Sequence, residues 1–157
     1  MQRLKALEAL HKSCNPRCTT TKCRKDNCTL GLPRQGVLCV DCDRCKAFPK
    51  EEGEKRPDFI VLYAGGKSTS PRWFIVEMKG TVSDIGHIVA QFQAGAKVIQ
   101  DNSRFRVAPS PLPLVPLLLH DGHIRADEFI RRRISFWGRP CEITIRRCGI
   151  ELKHLLV

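Results

Sequence analysis

The sequence predicts a single α/β domain (α+β) with a mixed central sheet flanked by helices, and three observations carry that prediction. First, residues 56–80 hold two hydrophobic, β-rich runs, Arg-Pro-Asp-Phe-Ile-Val-Leu-Tyr and Arg-Trp-Phe-Ile-Val-Glu-Met-Lys-Gly, joined by the polar stretch Ala64–Pro71. That is the composition of a β-hairpin with a long loop. Second, Ile85, Ile88, Val89, Phe92, Ala96 and Ile99 recur at spacings of three and four, the apolar stripe of a long helix. Third, the run Leu114–His120 follows a linker and reads as a strand beside the same sheet. The chain has 157 residues, 42% of them hydrophobic, enough for one domain spanning 1–157 with a real core.

Taken in order, Leu4, Leu7 and Leu10, with Ala6 and Ala9 between them, predict a short helix over the first dozen residues, with Glu8 on it. Residues 14–45 form a Cys-rich segment leading into or inserted in the core. Cys14, Cys18, Cys23, Cys28, Cys39, Cys42 and Cys45 fall there, and Cys141 and Cys148 lie far downstream. An odd total cannot all pair internally, and disulfides are disfavoured in a cytosolic chain. Cys14, Cys18, Cys23 and Cys28 offer the four thiols that a structural Zn²⁺ requires, amid loop-forming residues. Cys39-x-x-Cys42-x-x-Cys45 has the two-residue gaps that open an Fe–S cluster motif. Yet Gly36–Asp41 also reads as the first core strand, where Cys is a small hydrophobe. A structural Zn²⁺ or Fe–S site and a set of reduced thiols therefore both stand, and Cys141 and Cys148 are expected as core or surface thiols.

A polar connection, Phe48–Arg56, leads to the hairpin. Beyond it Gly80 and Thr81 form a turn, Ser83 is the expected N-cap, and Asp84 belongs to the first helical turn. Asn102–Pro113 is a basic, proline-rich linker, and Pro116 argues that the next strand is an edge or carries a bulge. Asp127–Arg133 reads as a short basic helix, Ile134–Trp137 and Cys141–Arg146 as strands, and Leu152–Val157 as an apolar tail.

The net charge of +11 favours a polyanionic partner, nucleic acid first. Arg131, Arg132, Arg133, Arg146 and Arg147 are candidate phosphate contacts, with ordinary solvated cations as the alternative. Few aromatic residues are present, so a stacking platform for single strands is not evident. Met1–Lys12 lacks the apolar core of a secretory signal, and Leu112–Leu119 is too short and proline-broken to span a bilayer. A soluble, cytoplasmic chain with no membrane partner is the expectation.

Alternation along a strand puts Glu77 and Lys79 on one face. In an antiparallel hairpin the start of one strand lies beside the end of the other, so Asp58 meets them at one rim of the sheet. Two carboxylates and an amine converging there suit a divalent cation and an activated water.

Pro57-Asp58 followed by Glu77-x-Lys79 and an amphipathic helix resembles the PD-(D/E)XK nuclease superfamily, over roughly Gly36 to Gln100. The resemblance implies a restriction-endonuclease-like αβββαβ core and metal-dependent phosphodiester hydrolysis. It implies that Asp58 and Glu77 hold Mg²⁺ or Mn²⁺, that the backbone carbonyl of Met78 completes the shell, and that Lys79 positions the nucleophile or stabilises charge on the phosphate. Gln91 stands where RecB-type members carry a glutamine that orients the metal-bound water or the scissile phosphate, although Gly95 replaces the tyrosine of that motif. Gln93 flanks the stripe on the other side. Glu8 matches an extra acidic ligand of some members, and Asp41 and Asp43 either approach the rim or are loop acids. DNA is expected as substrate before RNA, with a homodimer or a larger nuclease complex as the working form. The alternative is a non-catalytic or partner-dependent nucleic-acid-binding or assembly module on the same fold.

Overall fold

The two runs of the expected hairpin become neighbouring strands at the centre of one sheet. The computed structural model describes residues 16–45, 56–66, 69–82, 84–101 and 112–156. The expected N-terminal helix with Glu8, as well as Cys14, Ser83 and most of the two polar connections, lies outside them. Chain order runs β1 (Thr19–Thr20), β2 (Cys23–Lys25), β3 (Cys28–Leu30), β4 (Val37–Asp41), β5 (Phe59–Tyr63), β6 (Arg72–Lys79), α1 (Ile85–Asp101), β7 (Leu114–His120), β8 (Arg133–Phe136), β9 (Arg139–Glu142) and β10 (Thr144–Arg147). Among the described residues the main sheet has the strand order β1-β4-β5-β6-β7-β10. Its first four strands pair antiparallel, while β7 joins β6, and β10 joins β7, in parallel. The parallel step from β6 to β7 needs a crossover, and α1 supplies it.

Both faces of this sheet are covered, which is why β5, β6 and β7 read as continuous apolar runs. On one face Ile88, Phe92, Ala96 and Ile99 of α1 pack with Leu38, Val40, Ile60, Leu62, Trp73, Ile75 and Leu118. On the other, the β2–β3 hairpin and the C-terminal 3-10 turn Leu152–Leu155 bring Cys23, Cys28, Leu30 and Leu152 against Phe59, Val61, Phe74, Val76, Leu117 and Leu119. Gly95 lets α1 approach closely: a Cβ there would stand 2.9 Å from Pro57 Cγ and 3.0 Å from Ile75 Cγ2. The helix is capped by Asp84, whose Oδ1 accepts the His87 N–H at 3.0 Å.

Several expectations need correction. β7 is neither an edge nor bulged, since it lies between β6 and β10. Pairing with β10 starts only at Leu117, so the N–H missing at Pro116 interrupts no bond to that strand. The expected helix at Asp127–Arg133 is a 3-10 turn, Ala126–Phe129, and Arg133 already belongs to β8. The expected strand over Cys141–Arg146 divides at Ile143: β9 closes a hairpin with β8, while β10 extends the main sheet. Finally, Cys28 and Cys148 are joined as a disulfide, not free thiols.

Candidate functional site

The site is built at the rim where β5 begins and β6 ends. Phe59 pairs with Val76, which sets Asp58 beside Glu77 at the next step of the ladder. The Asp58 backbone is pinned on both sides: its N–H donates to the Val76 carbonyl at 3.1 Å, and its carbonyl accepts the Cys42 N–H at 3.1 Å. The carboxylate is buried, with the Met78 N–H donating to Oδ2 at 2.8 Å. Met78 thus enters the site through its N–H, while its side chain packs on the opposite face.

Glu77 is 0% exposed, and neither carboxylate oxygen has a hydrogen-bond partner. The Asp58 N–H is close enough to favour its charged form, but that donor is committed to Val76. Lys79 Nζ lies 3.5 Å from Oε2, the same-face neighbour that strand alternation predicts. Burial first, and the Asp58 charge second, push the Glu77 carboxyl up to about 8, against the smaller pull of Lys79 and Lys25. A buried carboxylate that accepts no hydrogen bond is costly, and a further cation entering beside it lowers the cost.

Lys25 is the residue that sequence reasoning missed. Its Nζ donates to Asp58 Oδ1 at 2.5 Å, from the end of β2 and with the side chain 40% exposed. Partial burial pulls the ammonium pKa down. The hydrogen bond and charge of Asp58 outweigh it, with Glu77 and Asp43 behind them, and hold it above the usual lysine value. The local signal was present in the sequence: Asp26-Asn27 is a two-residue turn, with Asp26 at φ 53°, between the paired Lys25 and Cys28. Nothing local pointed that hairpin at Asp58.

Gln91 of α1 is 8% exposed, its Nε2 donating to the Arg56 carbonyl at 3.0 Å while its Oε1 is buried without a partner. It therefore borders the start of β5. Gln93 instead holds β8, donating from Nε2 to the Ser135 carbonyl at 2.8 Å and accepting the Ser135 N–H at 2.9 Å. Asp41 and Asp43 have cationic partners of their own, Arg44 at 3.4 Å and Arg56 at 3.4 Å respectively.

His120, also unforeseen, is 8% exposed at the end of β7, in register with Lys79 on one side and Arg147 of β10 on the other. Its Nδ1 lies 2.9 Å from the Gly122 carbonyl, an acceptor, so the proton is on Nδ1. Lys79, His120 and Arg147 form one row across three parallel strands. The other expected phosphate contacts do not join it. Arg131 and Arg132 are exposed in the turn before β8. Arg133 pairs with Glu142 at 3.0 Å, and Arg146, next to Arg147 on a strand, points to the opposite face.

The cysteines do not assemble a metal centre among the described residues, where no three His, Cys, Asp or Glu side chains converge. Of the expected set Cys14, Cys18, Cys23 and Cys28, the last is consumed by the bond to Cys148. Cys18 and Cys23 are buried in different cores, on opposite faces of the sheet. Cys39 and Cys42 are likewise parted. A hydrogen bond to Cys39, then burial, raises the Cys23 thiol well above its usual range, and burial does the same to Cys42. Among the described residues, no helix is long and apolar enough to cross a membrane. No known protein family, curated protein or solved structure matches the chain.

Proposed function

We propose that the protein is a metal-dependent nuclease of restriction-endonuclease-like fold, hydrolysing phosphodiester bonds of nucleic acid, DNA before RNA, at Asp58, Glu77 and Lys79. One observation carries the reading: a fully buried Glu77 carboxylate whose oxygens accept no hydrogen bond, with the Lys79 ammonium 3.5 Å from Oε2, beside a second carboxylate. The antiparallel β4-β5-β6 strands, the α1 crossover and the parallel β7 support this reading. Two carboxylates suit Mg²⁺ or Mn²⁺, hard cations that keep several waters and bind through one or two such groups.

Asp58 and Glu77 would hold the ion, with the Met78 carbonyl as the third protein ligand that the resemblance implied. Such an ion would lower the pKa of a bound water and relieve charge on the phosphoryl oxygens. The Met78 N–H fixes the Asp58 carboxylate, so that oxygen is already oriented. Lys79, two residues beyond Glu77 and on its face, presents an ammonium to the attacking water or to charge growing on the phosphate. Gln91 Oε1, buried and unpartnered, is an acceptor available to orient that water.

The test is a cleavage assay on plasmid, linear duplex, single-stranded DNA and RNA with Mg²⁺, Mn²⁺ or EDTA. Metal-dependent cutting should disappear in Asp58→Ala and Lys79→Ala, both folded. Cutting that persists in both variants would overturn the assignment. A second reading, a binding module that does not cut, is favoured by the Lys25 contact, because the protein's own cation already neutralises Asp58. Folded wild type that binds nucleic acid but cuts none of these substrates would select it.

A further inference from the structure

We propose that the Lys25 ammonium is the second cation of this site, so that Asp58 and Glu77 take one divalent ion and not the pair that two carboxylates can share. This deepens the nuclease reading and rests on it for what the ion does. Lys25 Nζ occupies Asp58 Oδ1 at 2.5 Å, and the Met78 N–H occupies Oδ2 at 2.8 Å. Each carboxylate oxygen accepts two bonds, so one position is left on each. Glu77 offers two oxygens that accept no hydrogen bond. One ion can take ligands from both groups, while a second on Asp58 would sit against the Lys25 ammonium, whose charge opposes it.

Charge counting agrees. Once the divalent ion has displaced the Glu77 proton, Asp58 and Glu77 balance Lys25 and Lys79, each lysine lying within an ion-pair distance of its own carboxylate. One divalent ion added to that balance is matched by a phosphodiester and a hydroxide. A second would leave excess positive charge beside a fully buried group, where the dielectric is low and Coulomb energies are large.

The mounting of Lys25 separates it from a chance surface lysine. It ends β2, paired with Cys28, which is bonded to Cys148. Just beyond, the Gly31 N–H donates to the Ile150 carbonyl at 3.0 Å, and the Leu152 N–H donates to the Gly31 carbonyl at 2.8 Å. The ammonium is therefore carried by a hairpin anchored at two places to the C-terminal segment.

The experiment is Mn²⁺ titration followed by the paramagnetic resonance of the free ion, at fixed pH and without nucleic acid. The chains are wild type, Lys25→Arg, Lys25→Met, Asp58→Asn and the Lys25→Met, Asp58→Asn double variant, each checked by thermal melting. Wild type and Lys25→Arg should bind one Mn²⁺ per chain, and Lys25→Met two, the second lost again in the double variant. A wild-type count of two overturns the proposal without any variant. So does a Lys25→Met count of one, whether the ion is held as in wild type or more tightly; the tighter case makes Lys25 a blocker, not a second cation. Wild-type binding that is absent, or indifferent to Asp58→Asn, overturns the metal reading itself and this inference with it.

Discussion

Glu77 concentrates the energetics of the site in one side chain. Its folded pKa, about 8, lies far above that of an exposed glutamate. Below about 4.5 both the folded and the unfolded chain hold the proton, and Glu77 leaves stability unchanged. As pH rises toward 8 the unfolded chain has released its proton and the folded chain has not, so stability falls, by about 1.4 kcal/mol for each pH unit crossed between the two pKa values. The metal-free protein should therefore melt progressively lower between pH 5 and 8 relative to Glu77→Gln, whose amide does not titrate, and the difference should level off above pH 8. Parallel melting curves for the two chains would show that Glu77 does not hold this proton. Under the proposed nuclease reading, the same raised pKa would make a divalent ion compete with a proton at neutral pH. Mn²⁺ affinity should rise about tenfold per pH unit up to about pH 8, with proton release measurable by calorimetry in two buffers of different ionisation enthalpy.

The elements that place this residue differ in how openly the sequence announces them. β5, β6 and α1 were legible because a long apolar run or a long stripe survives local exceptions, and the convergence of Asp58, Glu77 and Lys79 followed from strand alternation together with antiparallel pairing. β2–β3 was not, since strands of three residues carry little periodicity, and although β8 was expected near Ile134–Trp137, its partner β9 was merged with β10. The β8–β9 turn hides further by using Trp137 at φ 51° before Gly138, where Asn or Asp would have been the signal. The Gln100 side chain holds that turn from α1, accepting the Trp137 N–H at 3.0 Å. Cys28 and Cys148, 120 residues apart, could be matched only in three dimensions. Gly95 is the element-scale point where packing and site meet. Alanine improves helix propensity by about 1 kcal/mol, but its methyl would press on the Pro57 ring and a fully buried Ile75, an overpacking cost of about 1–3 kcal/mol. Gly95→Ala should lower unfolding stability in urea, with an unchanged slope. A stabilised variant would mean that the helix can back away from Pro57.

At the scale of the whole molecule, the net charge of +11 is useful to a nucleic-acid-binding protein only where cations face one way. The parallel strands β6, β7 and β10 end together and align Lys79, His120 and Arg147 at the rim that holds Asp58 and Glu77. A duplex laid along that row would place its phosphates next to the carboxylates, whereas Arg133 is bound to Glu142 and to the Ile130 and Arg132 carbonyls. Arginines that look alike in the sequence should therefore behave differently. Each phosphate neutralised contributes about −0.9 to the slope of log affinity against log salt for duplex DNA. In EDTA, where metal-dependent cutting is off, Arg147→Ala should make that slope shallower by about 1 and weaken binding at low salt. Arg133→Ala should leave the slope as in wild type and show its effect in melting. Equal slopes for wild type and Arg147→Ala, measured by fluorescence anisotropy with a short duplex, would remove β10 from the nucleic-acid interface and leave the row a feature of the sheet alone.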